Sequence, residues 1–191
     1  MPAEKSVHIT YFVHGTTTDN AKGVSSGWND VELSEKGKEQ QKELIYQIRA
    51  QGKKFDVVYC SDLRRAVESA EITFGKNGLN IPIVKDRRLR EINYGDMAGS
   101  KSEIIDEEMS NHIDKPFPNG QCYEDVEKLV RSLCEELKNM YEGKHVAIVD
   151  SRACQLAFEV ICNKKTWEQA MREDWRIGGK WQPGWEYILK E

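Results

Sequence analysis

The chain has 191 residues, 39% hydrophobic and 31% charged, which is enough apolar content to bury a core and a length suited to one globular domain spanning 1–191. With a net charge of −4 and its basic residues scattered, it lacks the electrostatic stripe of a nucleic-acid binder; no apolar run approaches the ~20 residues of a membrane span, and the N-terminal MPAEKSVHIT has no signal segment. The cysteines Cys60, Cys122, Cys134, Cys154 and Cys162 form no C-x-x-C pair and are odd in number, so they read as reduced packing residues of a cytoplasmic protein.

The first element in chain order is VHITYFV (7–13), a run too continuously apolar for a half-solvated sheet and therefore predicted as a buried strand. Ser34 is placed to cap a helix running towards Ala50. FDVVYC (55–60) predicts the second strand, after which Ser61 is placed to cap a helix carrying Arg64 to Thr73. IPIV (81–84) predicts a third strand. Organisation is weakest over 100–120, where a short polar helical stretch precedes the loop DKPFPNG. Between 121 and 142, Val126, Leu129, Val130, Leu133, Leu137, Met140 and Tyr141 recur at helical spacing and predict one apolar face. HVAIVD (145–150) predicts the fourth strand, Thr166 with Gln169 makes a capping box, and the terminal WEYILK adds an edge strand. Strands that alternate with helices imply a mainly parallel sheet covered on both faces, a three-layer α/β/α sandwich.

In such a sheet functional groups gather outside the carboxyl ends of the strands. His14 follows the first strand, Ser61 to Arg65 the second, and Asp150 to Arg152 the fourth, so all three are expected to meet. A lone strand-end histidine needs no function beyond a bond to a nearby carbonyl. Here, however, Gly15 permits close backbone approach, and Thr16, Thr17, Thr18 and Asn20 supply donors of the kind that wrap a phosphate.

The blocks VHGTTTDN, GWNDVELSEKGKEQ, FDVVYCSDLRRAVESA, LREINYGDMAG and PFPNGQCYEDV occur in an order and spacing that resembles the histidine phosphatase superfamily, phosphoglycerate mutase-like branch. The resemblance implies phosphoryl transfer through a transiently phosphorylated histidine, with no metal and no other cofactor. It makes His14 the nucleophile, Arg65 the phosphate-binding arginine, Glu91 the proton donor, and Asn20 a phosphate contact beside Thr17. The chemistry suits the residues. A neutral imidazole is nucleophilic near pH 7, and an arginine fork matches phosphoryl oxygens. Arg64 reads as a surface residue, and Glu91 is either that donor or a salt-bridge partner of Arg87, Arg88 or Arg90.

Two departures from the family accompany the matches. Val13 stands where the family usually has an arginine before the nucleophile, and Ser151, in VDSRACQLAF, stands at the position of its second histidine. A serine there offers a shorter reach to phosphoryl oxygens and no cationic form. Arg152 restores positive charge if it turns into the crevice; otherwise it is a solvated helix-start arginine. His112 and His145 lie in the wrong places to substitute. A serine nucleophile at Ser151 beside Asp150 lacks both its own base and a G-x-S-x-G elbow. Trp175, Trp181 and Trp185 are expected to seal a core edge rather than line a pocket. Two functions remain open: a phosphomonoester phosphatase of reduced activity, and a catalytically impaired protein that binds a phosphate ester or phosphate-like anion. A mutase is disfavoured because the 100–120 segment is short.

Overall fold

The computed structural model describes residues 6–178 and 184–190. Strands β1 (Ser6–Val13), β2 (Val57–Cys60), β3 (Ile83–Lys85), β4 (His145–Asp150) and β5 (Trp185–Lys190) form one sheet in the order β3-β2-β4-β1-β5. β1 and β4 run parallel in register from His8 opposite His145 to Val13 opposite Asp150. β4 pairs with β2, and β2 with β3, in the same sense, whereas β5 closes the edge antiparallel to β1. This is the mainly parallel α/β/α arrangement that the alternation predicted.

Successive β1 side chains point to opposite faces, which assigns Tyr11 and Phe12 to separate cores. Phe12 packs with Leu44 and Ile48 of α1 (Glu35–Ala50), Ala66 and Phe74 of α2 (Arg64–Phe74), and Phe55. Tyr11 packs on the other face with Val130 and Leu133 of α4 (Tyr123–Met140) and Phe158 of α5 (Arg152–Asn163). Both faces of the sheet are therefore covered, which explains why β1 and β4 are apolar without alternation. Three shorter helices, α3 (Ser102–Glu108), α6 (Trp167–Arg172) and α7 (Trp175–Gly178), complete the α-helices among the described residues, beside short 3-10 turns.

Several expectations need correction. The buried stripe of α4 is Tyr123, Val126, Val130, Leu133, Cys134 and Leu137, while Leu129 and Met140 are 38% and 59% exposed. Both lie on the flank of that stripe, so helical spacing alone overstated its width. α2 is preceded by Leu63, which has no side-chain cap, and not by Ser61. Ser61 instead lies fully buried at the end of β2, its N–H donating to Asp150 Oδ2. Trp175 and Trp185 meet at 5.8 Å; Trp181 falls outside the described residues.

Candidate functional site

The turn after β1 is held by short, specific bonds. His14 N–H donates to the Asp150 carbonyl at 2.8 Å, extending the β1 ladder to β4 by one residue before the chain turns. Gly15 N–H donates to Ser69 Oγ at 3.0 Å, and that hydroxyl donates to Arg65 O at 2.7 Å, tying the turn to α2. Ser34 caps α1 as expected: its Oγ accepts from Gly37 N at 3.1 Å and donates to Thr16 O at 2.8 Å. A Cβ on Gly15 would lie 2.5 Å from Gly37 O, and one on Gly37 would lie 2.1 Å from Thr16 O. Only glycine allows this approach.

At the carboxyl ends of the parallel strands lies a cavity of about 850 Å³ lined by His14, Thr17, Asn20, Arg65, Glu91 and Arg152 together with Trp175 and Arg176. His14 Nδ1 sits 2.8 Å from the Gly15 carbonyl, which can only accept, so Nδ1 carries the proton and Nε2 keeps its lone pair. Burial, reinforced by the charges of Arg65 and Arg176, pushes the imidazole pKa down to about 3. The ring is neutral throughout the physiological range.

Arg65 is 3% exposed, and its guanidinium donates to Gly27 O at 2.7 Å and Asn29 O at 3.2 Å. Arg64 faces solvent and pairs with Glu32 and Glu68, as expected of a surface residue. Glu91 is buried and is not bridged to the neighbouring arginines, which pair instead with Asp62, Asp86 and Glu136. Its Oε1 accepts from Ile92 N at 2.8 Å and from Ala153 N at 3.3 Å, so backbone donors orient the carboxyl. The Thr17 hydroxyl accepts from Asn20 N at 2.9 Å, and Asn20 Oδ1 accepts from Thr17 N at 3.2 Å. These two side chains therefore close the turn on each other, and Thr17 is too buried to offer much more.

Arg152 is not solvated. It lies in the cavity wall, 6% exposed, with Nε donating to Asp174 and Nη1 to Asp106. Ser151, expected to contact phosphate, does not line the cavity; it is fully buried, and its Oγ has no hydrogen-bond partner. The serine is too short to emerge from under the first turn of α5, where its carbonyl accepts from Tyr11 Oη at 2.7 Å. Asp150 Oδ1 beside it is also unpartnered, and burial pushes this carboxyl up to about 7. His112 stacks on Phe117, and His145 begins β4 at the opposite end from the cavity. Among the described residues no three His, Cys, Asp or Glu side chains are grouped to hold a metal ion, and no helix is long and apolar enough to cross a membrane.

Trp175 and Arg176 were missed as site residues. The tryptophan-rich C-terminus was the only signal, and it pointed to core sealing; Trp175 packs against Trp185 and also lines the cavity.

A mainly parallel α/β/α sheet thus carries a neutral histidine and a buried arginine together at its strand ends. Residues 11–158 match the histidine phosphatase superfamily (branch 1), and the chain belongs to that family. A 2,3-bisphosphoglycerate-dependent phosphoglycerate mutase from Parvibaculum lavamentivorans is 32% identical over 146 residues, covering 71% of this chain and 70% of that protein. Its counterpart from Actinobacillus pleuropneumoniae is 37% identical over 94 residues; the match covers 49% of this chain, and the chain spans 41% of that protein's length. Among solved structures, a mycobacterial glucosyl-3-phosphoglycerate phosphatase has a TM-score of 0.74 at 22% identity, covering 87% of this chain and 84% of that one, a likeness of fold.

Proposed function

We propose that the protein is a phosphomonoester phosphatase acting through a transient phosphohistidine on His14. The observation that carries this reading is the neutral imidazole fixed with its Nε2 lone pair available in a cavity shared with Arg65 and Glu91. In the first half-reaction Nε2 attacks phosphorus, the P–O bond to the alcohol breaks, and the departing alkoxide takes a proton from Glu91. In the second, water attacks phosphorus, gives its proton to the Glu91 carboxylate, and the P–N bond breaks to free His14. Arg65 neutralises charge on the phosphoryl oxygens. The names of the relatives, mutases and a phosphatase acting on phosphorylated small molecules, support this substrate class. The short 100–120 segment favours hydrolysis over mutase chemistry.

The second reading, a phosphate-ester-binding protein without turnover, draws on Val13 and the enclosed Ser151. Loss of one oxyanion donor typically costs about 10²- to 10³-fold in rate. Turnover of a panel of phosphate monoesters, beginning with p-nitrophenyl phosphate, separates the two. If the phosphatase reading holds, His14→Ala lowers kcat at least about 10³-fold, Arg65→Ala weakens vanadate binding, Arg64→Ala leaves it unchanged, and EDTA has no effect. Activity that survives His14→Ala overturns the mechanism. Vanadate binding without turnover favours the second reading.

A further inference from the structure

Among the arginines that line the cavity, two are already committed. Arg65 donates to two carbonyls, and Arg152 is held between Asp106 and Asp174. Arg152 therefore brings little net charge to a ligand, since two carboxylates already face it. Arg176 lines the same cavity from α7, is exposed, and its guanidinium has no hydrogen-bond or ion-pair partner among the described residues.

Its backbone is nonetheless anchored. Arg176 N–H donates to Asp174 Oδ1 at 3.0 Å, and the other oxygen of this buried carboxylate accepts from Arg152 Nε. Arg152 opens α5 one residue beyond Ser151 at the end of β4, the strand paired with β1 on one side. Trp175 packs on Trp185 of β5, the strand paired with β1 on the other side. α7 is thus tied to the first turn of α5, which follows β4, and to β5, and Arg176 lines the same cavity as His14 at the end of β1. Its positive charge reaches the imidazole and helps to keep it neutral.

A phosphoryl group in transfer spreads negative charge over three oxygens and calls for more than one cationic fork. We propose that Arg176 is a catalytic residue of the phosphoryl-transfer reaction, its guanidinium contacting the oxygens of the group transferred to His14 from the C-terminal wall of the cavity. The proposal rests on the phosphatase reading. Being exposed and without an ion-pair partner among the described residues, Arg176 breaks no protein ion pair to make this contact. Val13 also lines the cavity, immediately before His14, so an arginine placed there would deliver a guanidinium from the β1 side.

The test uses the full chain with two probes: vanadate, which has no leaving group, followed by calorimetry, and p-nitrophenyl phosphate, followed by turnover. Arg176→Ala is expected to weaken vanadate binding about 10-fold and to lower kcat about 10²-fold, with Arg176→Lys intermediate. Val13→Arg in the Arg176→Ala background should recover a large part of both losses. Unchanged vanadate affinity in Arg176→Ala overturns the proposal, because a residue that reads only the ester's leaving group does not affect vanadate. If the wild-type protein binds vanadate without turnover, the phosphatase reading fails while the calorimetric comparison still decides whether Arg176 touches the phosphate. No vanadate binding by the wild-type protein sinks both.

Discussion

Asp150 and His14 meet at the end of β1 with their charges suppressed by the same cause, burial, which pushes the carboxyl up to about 7 and the imidazole down to about 3. Their linkages to folding have opposite signs. Asp150 binds a proton in the native state that it has lost in the unfolded chain between about pH 4 and 7, so its contribution falls as pH rises. His14 is neutral in the native state but protonated in the unfolded chain between about pH 3 and 6.5, so its contribution rises with pH. From about pH 4.5 to 6.5 the two slopes cancel. Asp150→Asn, which keeps an acceptor for Ser61 N, should leave the His14 slope uncompensated, with unfolding free energy rising by up to about 2.5 kcal/mol over those two pH units. His14→Gln should show the opposite slope. Urea unfolding at three pH values reads both, and an Asp150→Asn protein that tracks wild type would show that the carboxyl is already ionised. The sequence presented Asp150 only as an acidic neighbour of Ser151. Its enclosure depends on β1, β2 and α5 arriving together, which no local pattern encodes.

Elements were easier to foresee where a side chain binds its own segment. The Ser34 cap and the box of Thr166 and Gln169 are bonds over three residues, and both are present. Ser61 does not cap α2 because the helix starts behind Leu63: its Oγ accepts only from Leu63 N at 3.4 Å, and its N–H is turned to Asp150, 89 residues away. Gly37 shows the same limit. Inside α1 it looks replaceable, since alanine favours a helix over glycine by about 1 kcal/mol. Yet a Cβ there would lie 2.1 Å from Thr16 O, in the turn that carries His14. We expect the clash to prevail: overpacking of this kind costs about 1–3 kcal/mol, so Gly37→Ala should melt several degrees below wild type and bind vanadate less tightly. A melting temperature equal to or above that of wild type would mean that the turn can yield, and that propensity alone governs the site.

At the scale of the whole molecule, Arg152 joins three stretches that the sequence leaves far apart. It opens α5 and reaches Asp106, 46 residues before it on α3, and Asp174, 22 residues after it beside α7. The direction of its side chain is open in the sequence, since side chains at a helix start face solvent or core with equal ease and the partners come from segments with no periodicity. The two carboxylates differ in environment. The Asp174 side chain is fully buried, whereas that of Asp106 is 42% exposed. Water can replace Arg152 as a partner for Asp106, so Asp106→Asn should cost about 0–1 kcal/mol. Asp174→Asn leaves a buried guanidinium with half its compensation and should cost about 3 kcal/mol. The asparagine can still accept from Arg176 N, so the loss reports on the ion pair rather than on the turn. Urea unfolding of the two variants at pH 7.5 measures the difference. Equal costs would mean that burial does not set the energy of the clamp, and that Arg152 is held to the cavity wall by its helix rather than by the carboxylate that also positions α7.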